Sequence, residues 1–85
     1  MKFLGYVIAN GSEEFLAHFR TQADSSAMVW AKIPDFAFPF STLRAAQSAV
    51  HEIDVSYKVW ILSLFESETQ YLVSTDQEDK PSWLF

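Results

Sequence analysis

The sequence contains no cysteine, so neither a disulfide nor a thiolate metal site can support the fold. That absence suits a reducing, cytoplasmic compartment. Only two glycines occur, Gly5 and Gly11, which leaves no glycine-rich loop to cradle a phosphate. The only imidazoles are His18 and His51, and no His-x-x-x-His or comparable metal spacing is present. Six basic residues are scattered as Lys2, Arg20, Lys32, Arg44, Lys58 and Lys80. Phosphate neutralisation on nucleic acid needs such residues clustered, and an anionic membrane needs them too, so neither is expected as a direct ligand. No window approaches the ~20 apolar residues of a membrane span. The apolar opening stretch passes into Ser12-Glu13-Glu14 without a small-residue cleavage site, which predicts a retained N-terminus.

The inventory for catalysis is equally thin. His51, Glu52 and Asp54 suggest a base with an orienting carboxylate, but neighbouring residues on a helix point about 100° apart and do not meet. Ser25-Ser26 would need an adjacent base to supply a nucleophile, and none is expected there. No catalytic, cofactor-binding or metal-binding residue is assigned, and the chain reads as a non-enzyme.

What is present is apolar mass and negative charge. The 85 residues suffice for one domain spanning 1–85. Hydrophobic residues make up 49%, with 8 Phe, 3 Trp and 3 Tyr. Each buried aromatic removes roughly 150–250 Å² from water, so a small core can be stabilised without a staple. Eleven acidic residues against six basic ones give a formal net charge of −5, which permits a basic protein partner.

Hydropathy patterning predicts β-β-β-α-β-β. Residues 3–9 are β-branched and aromatic and end at Asn10-Gly11, the strongest short-range hairpin signal, with positive φ required at both positions. A second strand is expected over about 13–20, although Leu16 breaks its alternation and a helical turn is an alternative. Residues 21–26 are polar and read as a loop; Met28 to Ile33 makes a third strand, closed by Pro34-Asp35. The segment Phe36-Ala37-Phe38-Pro39-Phe40 is extended and kinked. Ser41 is the expected N-cap of a helix from Thr42 to about Ile53, with Leu43, Ala46, Val50 and Ile53 on its apolar face. Strands over 57–65 and 69–75 follow.

The expected fold is therefore α+β: one mostly antiparallel sheet of four to five strands with one helix packed on one face. The first strand is apolar on both sides, Phe3, Val7 and Ala9 against Leu4, Tyr6 and Ile8, which marks it as central, with the fourth strand inserted beside it. A helix of about 12 residues is roughly 18 Å long and cannot cover both faces of such a sheet. Some other segment must cover the second.

Two constellations are candidates for binding. Glu66, Glu68, Asp76, Glu78 and Asp79 concentrate negative charge in the last quarter, either as a patch for a basic groove or as a solvated turn and tail. Trp83 and Phe85, together with the alternating Phe36, Phe38 and Phe40, either form the missing cover or expose an apolar surface for a partner. A homodimer packing sheet against sheet satisfies both. Trp30 or Trp60 lining a pocket under the helix would instead make a small-ligand sensor. Base stacking on the sheet lacks the interleaved basic residues it needs.

In size and layout the chain resembles small, acidic, cysteine-free proteins of phages and mobile elements of the anti-CRISPR type. The stretch Ala37-Phe38-Pro39-Phe40-Ser41-Thr42-Leu43-Arg44-Ala45-Ala46, an aromatic strand end passing into an Ala-rich helix, is similar in style. The resemblance implies stoichiometric inhibition, by protein–protein contact, of a host or competing nucleic-acid-handling complex. It carries over no individual site residue.

Overall fold

A computed structural model describes residues 1–22, 25–53 and 58–84, with backbone alone for 19–22 and 25–27. The expected class and order hold: β1 (Lys2–Asn10), β2 (Phe15–Gln22), β3 (Ser25–Ala31), α1 (Leu43–Glu52), β4 (Val59–Glu66) and β5 (Tyr71–Ser74), with a 3₁₀ turn at Pro34–Phe36. All five strands form one antiparallel sheet in the order β3-β2-β1-β4-β5. β1 is central and β4 lies beside it, paired from Lys2–Glu66 to Asn10–Val59.

Several local expectations are corrected. Asn10-Gly11 does not form a two-residue turn with positive φ; of the described non-glycine residues only Glu13 has positive φ, at 58°. Asn10 is instead buried and ties down a longer connection. Its Oδ1 accepts from the backbone N–H of Ser12 (2.9 Å) and Glu14 (3.1 Å). The polar stretch 21–26 is not all loop, because β2 runs to Gln22 and β3 starts at Ser25. Backbone pairing there continues past the end of the apolar alternation. Thr42 caps α1 in place of Ser41: its hydroxyl accepts from the N–H of Ala45 at 3.1 Å. The buried helix stripe is Ala46, Ala49 and Ile53, with Val50 half-buried, whereas Leu43 is 41% exposed. Small residues at the contact let the helix backbone approach the sheet closely. Tyr57, expected to open β4, lies outside the described residues, as does Asp54.

Two bulges account for the faces. Leu16 breaks the β2 alternation because the register slips between Leu16 and His18, making Ala17 an extra residue and burying Phe15 and Leu16 in separate clusters. A second slip between Phe3 and Gly5 moves Leu4 to the side of Val7 and Ala9 and leaves Phe3 with Tyr6. The expected grouping of Phe3 with Val7 and Ala9 is thereby overturned.

The sheet carries a core on each face. Ile8, Leu16, Ala49 and Ile53 form one, under α1. Val7, Ala9, Phe15, Leu62 and Leu64 form the other, and here the missing cover is the C-terminal segment, with Trp83 and Leu84 packed against it. Pro81 is buried outright. Trp83 donates its indole N–H to the Asn10 carbonyl at 2.8 Å and meets Phe15 edge-on at 5.6 Å.

β1 and β2 pair only at Ala9–Phe15, and the segment after the 3₁₀ turn occupies the gap between them. Phe38 N–H donates to Leu16 O at 2.9 Å on the β2 side. Phe40 exchanges both backbone hydrogen bonds with Tyr6 at 2.7 and 2.8 Å on the β1 side. Ala37 packs on the tail-side core and Phe40 on the helix-side core, so the segment crosses from one face to the other. Pro39, which has no N–H to donate, sits between the two bonded residues. Gly5 makes the approach possible: its φ is +146°, and a Cβ there would lie 2.7 Å from Phe40 O.

Candidate functional site

On the helix-side face, aromatic rings continue past the end of the α1 contact. Tyr6 shares the face of Ile8 by strand alternation. Its ring meets Phe3 edge-on at 5.2 Å, and Phe3 meets Phe65 of β4 at 5.5 Å. On the other side, Tyr6 is bridged through the backbone to Phe40, whose ring contacts Phe38 at 5.0 Å. Phe65, Phe3, Tyr6, Phe40 and Phe38 thus form a row across β4, β1 and the inserted segment. It is not sealed: Phe3 is 45% and Phe38 48% exposed. Centroid distances near 5 Å with steep interplanar angles are the edge-to-face geometry that fixes ring orientation.

The five acidic candidates do not converge. Glu66 and Glu68 sit where β4 turns toward β5, at the end that holds Phe3 and Phe65. Glu66 accepts a hydrogen bond from the Tyr71 phenol, which pushes the Tyr71 pKa up because the carboxylate disfavours a phenolate beside it. Glu68 is exposed in the turn. Asp79 lies at the opposite end of β4, about 26 Å away at 3.3 Å per strand residue. There it pairs with Lys58 at 2.6 Å and accepts from the Trp60 indole at 3.4 Å. The Lys58 hydrogen bond, then that of Trp60, hold its carboxyl below the usual range. Lys58 also stands 5.2 Å from the Trp60 ring centre. Asp76 and Glu78 are exposed in the loop that carries Asp79.

Of the aromatic candidates, Trp83 has its N–H and part of its ring engaged by its own domain. Phe85 lies outside the described residues. Phe36 is 67% exposed at the end of the 3₁₀ turn. Trp30 packs on the helix-side core and Trp60 on the tail-side core. The groove beside α1, lined by Leu43, Val50, Trp60 and Asp79, holds about 220 Å³, below the ~300 Å³ at which small-molecule pockets begin.

No family model, curated protein or solved structure matches the chain. The site rests on its own geometry.

Among the described residues, no three His, Cys, Asp or Glu side chains come together as a metal cluster. His18 and His51 are both exposed, on different elements. No helix among the described residues is long and apolar enough to cross a membrane. Phe3 and Phe65 escaped the sequence-based assignment of binding residues because each lies in an apolar strand that reads as core. The signal that separates them is Gly5: a lone glycine inside an apolar strand marks a bulge, and this bulge turns Phe3 to the ring row.

Proposed function

We propose that the chain is a non-enzymatic protein-binding module whose contact surface is the ring row Phe65-Phe3-Tyr6-Phe40-Phe38. The observation that carries this reading is the run of ring contacts Phe65–Phe3–Tyr6 joined through the Tyr6–Phe40 backbone bridge to the Phe40–Phe38 ring pair, with Phe3 and Phe38 near half-exposed. Aromatic rings preset by their neighbours supply contact area at low cost in side-chain entropy, as interface hot spots do. The partner is a protein with a basic surface. Net charge −5, with Glu66 and Glu68 at the Phe3 end, favours such a partner and speeds encounter with it. By extension from the anti-CRISPR-type resemblance, the module acts in the cytoplasm as a stoichiometric inhibitor of a nucleic-acid-handling complex, by occluding a basic surface.

The test is capture from native-host lysate with N-terminally tagged protein, followed by calorimetry on the reconstituted complex. A basic protein bound at one-to-one stoichiometry, lost with Phe3→Ala plus Phe38→Ala and slower to associate at high salt, supports the proposal. Unchanged affinity in the double variant overturns the surface assignment. A salt-independent association rate removes the electrostatic component.

A further inference from the structure

The C-terminal cover closes the tail-side core only in part. Between β5 and the chain that leads into the 3₁₀ turn lies a cavity of about 420 Å³, above the ~300 Å³ at which small-molecule pockets begin. Its walls are apolar: the edge-on pair Phe15 and Trp83, Leu84 beside them, Ile33 and Pro34 on the turn side, and Val73 from β5. Ile33 is 46% exposed, so the cavity is open to solvent on that side.

The polar groups around it have a sign. Glu13 lines the cavity with its backbone in the left-handed region, at φ 58°. Asn10 fixes the residues on either side by accepting from the N–H groups of Ser12 and Glu14. Among the described residues, no side chain pairs with the Glu13 carboxylate. Lys32, in the same lining, is already matched by Glu14 at 3.3 Å. The Tyr71 phenol is pushed up in pKa first by its hydrogen bond to Glu66, then by that carboxylate's charge, and also by the charge of Asp35. Even with Lys2 set against Glu66 across the β1–β4 ladder, Glu13 and Asp35 remain unmatched.

We infer that this cavity binds a small organic cation, an ammonium carried on an aryl or alkyl body. The body packs against Phe15 and Trp83, and the ammonium meets the Glu13 carboxylate. Charge complementarity selects this occupant. Apolar walls cannot replace the water of a bare metal ion, so the ligand needs apolar surface of its own. Aromatic rings also attract cations at their faces, whereas an anion meets unmatched carboxylates at the mouth. The cavity belongs to the tail-side core and the ring row to the helix side, so this inference does not rest on the proposed protein contact.

The test is an amide and indole chemical-shift titration of the full chain with phenethylamine, using phenylacetate as the anionic control of similar size. Saturable shifts at Ile33, Val73 and the Trp83 indole are expected with the amine, and much weaker ones with the acid. Glu13→Gln, an exposed and isosteric change, should weaken the amine about two- to fivefold, the worth of an exposed ion pair. Lys32→Ala, which frees Glu14, should tighten it. The absence of saturable shifts overturns the inference, as does phenylacetate binding equally well or Glu13→Gln binding undiminished. Binding gained only in Phe85→Ala also overturns it, by giving the cavity to the chain's own last residue. Failure here leaves the partner capture untouched, and loss of the ring-row partner leaves this titration unchanged.

Discussion

The indole N–H of Trp83 donates to the backbone carbonyl of Asn10, across a sequence separation of 73 residues. That bond joins the C-terminal segment to the end of the central strand, at the residue that also organises the β1–β2 connection. The cover of the second face is therefore pinned at a defined point of the sheet.

Removing the ring and removing the bond are separable. Trp83→Ala is expected to destabilise the domain by about 2–4 kcal/mol, toward the lower part of the range for large aromatics because the residue is only partly buried. Trp83→Phe keeps much of the contact with Phe15 and should lose about 1 kcal/mol, for the hydrogen bond. Urea unfolding of both variants checks this; equal losses would assign the whole effect to the bond.

Gly5 should tolerate no side chain. Gly5→Ala is expected to cost about 1–3 kcal/mol for the positive φ alone, and more because Phe40 O stands where the methyl must go. Hydrogen exchange should show the Tyr6 amide losing protection more than the amides of Leu62 and Leu64. Uniform loss across the sheet would argue against a local displacement of the inserted segment.

The helix cap discriminates between adjacent hydroxyls. Thr42→Ala should lower stability by about 1 kcal/mol, and Ser41→Ala should be near neutral. Thermal melts of the pair decide it, and a larger loss at Ser41 would contradict the observed cap.

Acid should weaken the fold through two carboxyls. The Asn10 side-chain amide, then Lys32, lower the Glu14 pKa, and Lys58 then Trp60 lower that of Asp79. A folded-state pKa below the unfolded value means stabilisation that is present at neutral pH and lost as pH falls through the folded value. Glu14→Gln should flatten the acid limb of a stability–pH profile more than Asp79→Asn. Its side chain is 27% exposed against 65%, so solvent screens it less. An unaltered acid limb in both variants would place the loss elsewhere.

The element order, the central place of β1 and the need for a second cover followed from apolar periodicity, which reports burial directly. The bulges did not follow so readily. Leu16 signalled a broken alternation, but a helical turn fits the same letters. Gly5 alone reset the grouping of Phe3 and Leu4. Asn10-Gly11 misled because the Asn side chain accepts two backbone N–H groups at once, an option that competes with the tight turn. The acidic residues looked clustered because they are close in sequence, yet β4 and β5 run antiparallel and carry them to opposite ends. Contacts made through the gap between β1 and β2 depend on long-range placement, which no local pattern encodes.

The central position of β1 also bears on how the chain is made. Lys2 pairs with Glu66 and Asn10 with Val59, so the strand at the middle of the sheet is synthesised before its main ladder partner exists. Its pairing with β2 is confined to Ala9–Phe15, and the gap waits for Phe38 and Phe40. A nascent chain therefore holds Val7 and Ile8 without a lasting partner until β4 emerges, and contacts of this range fold slowly. Stalled translation products ending before β4 should be ready clients for chaperones and proteases.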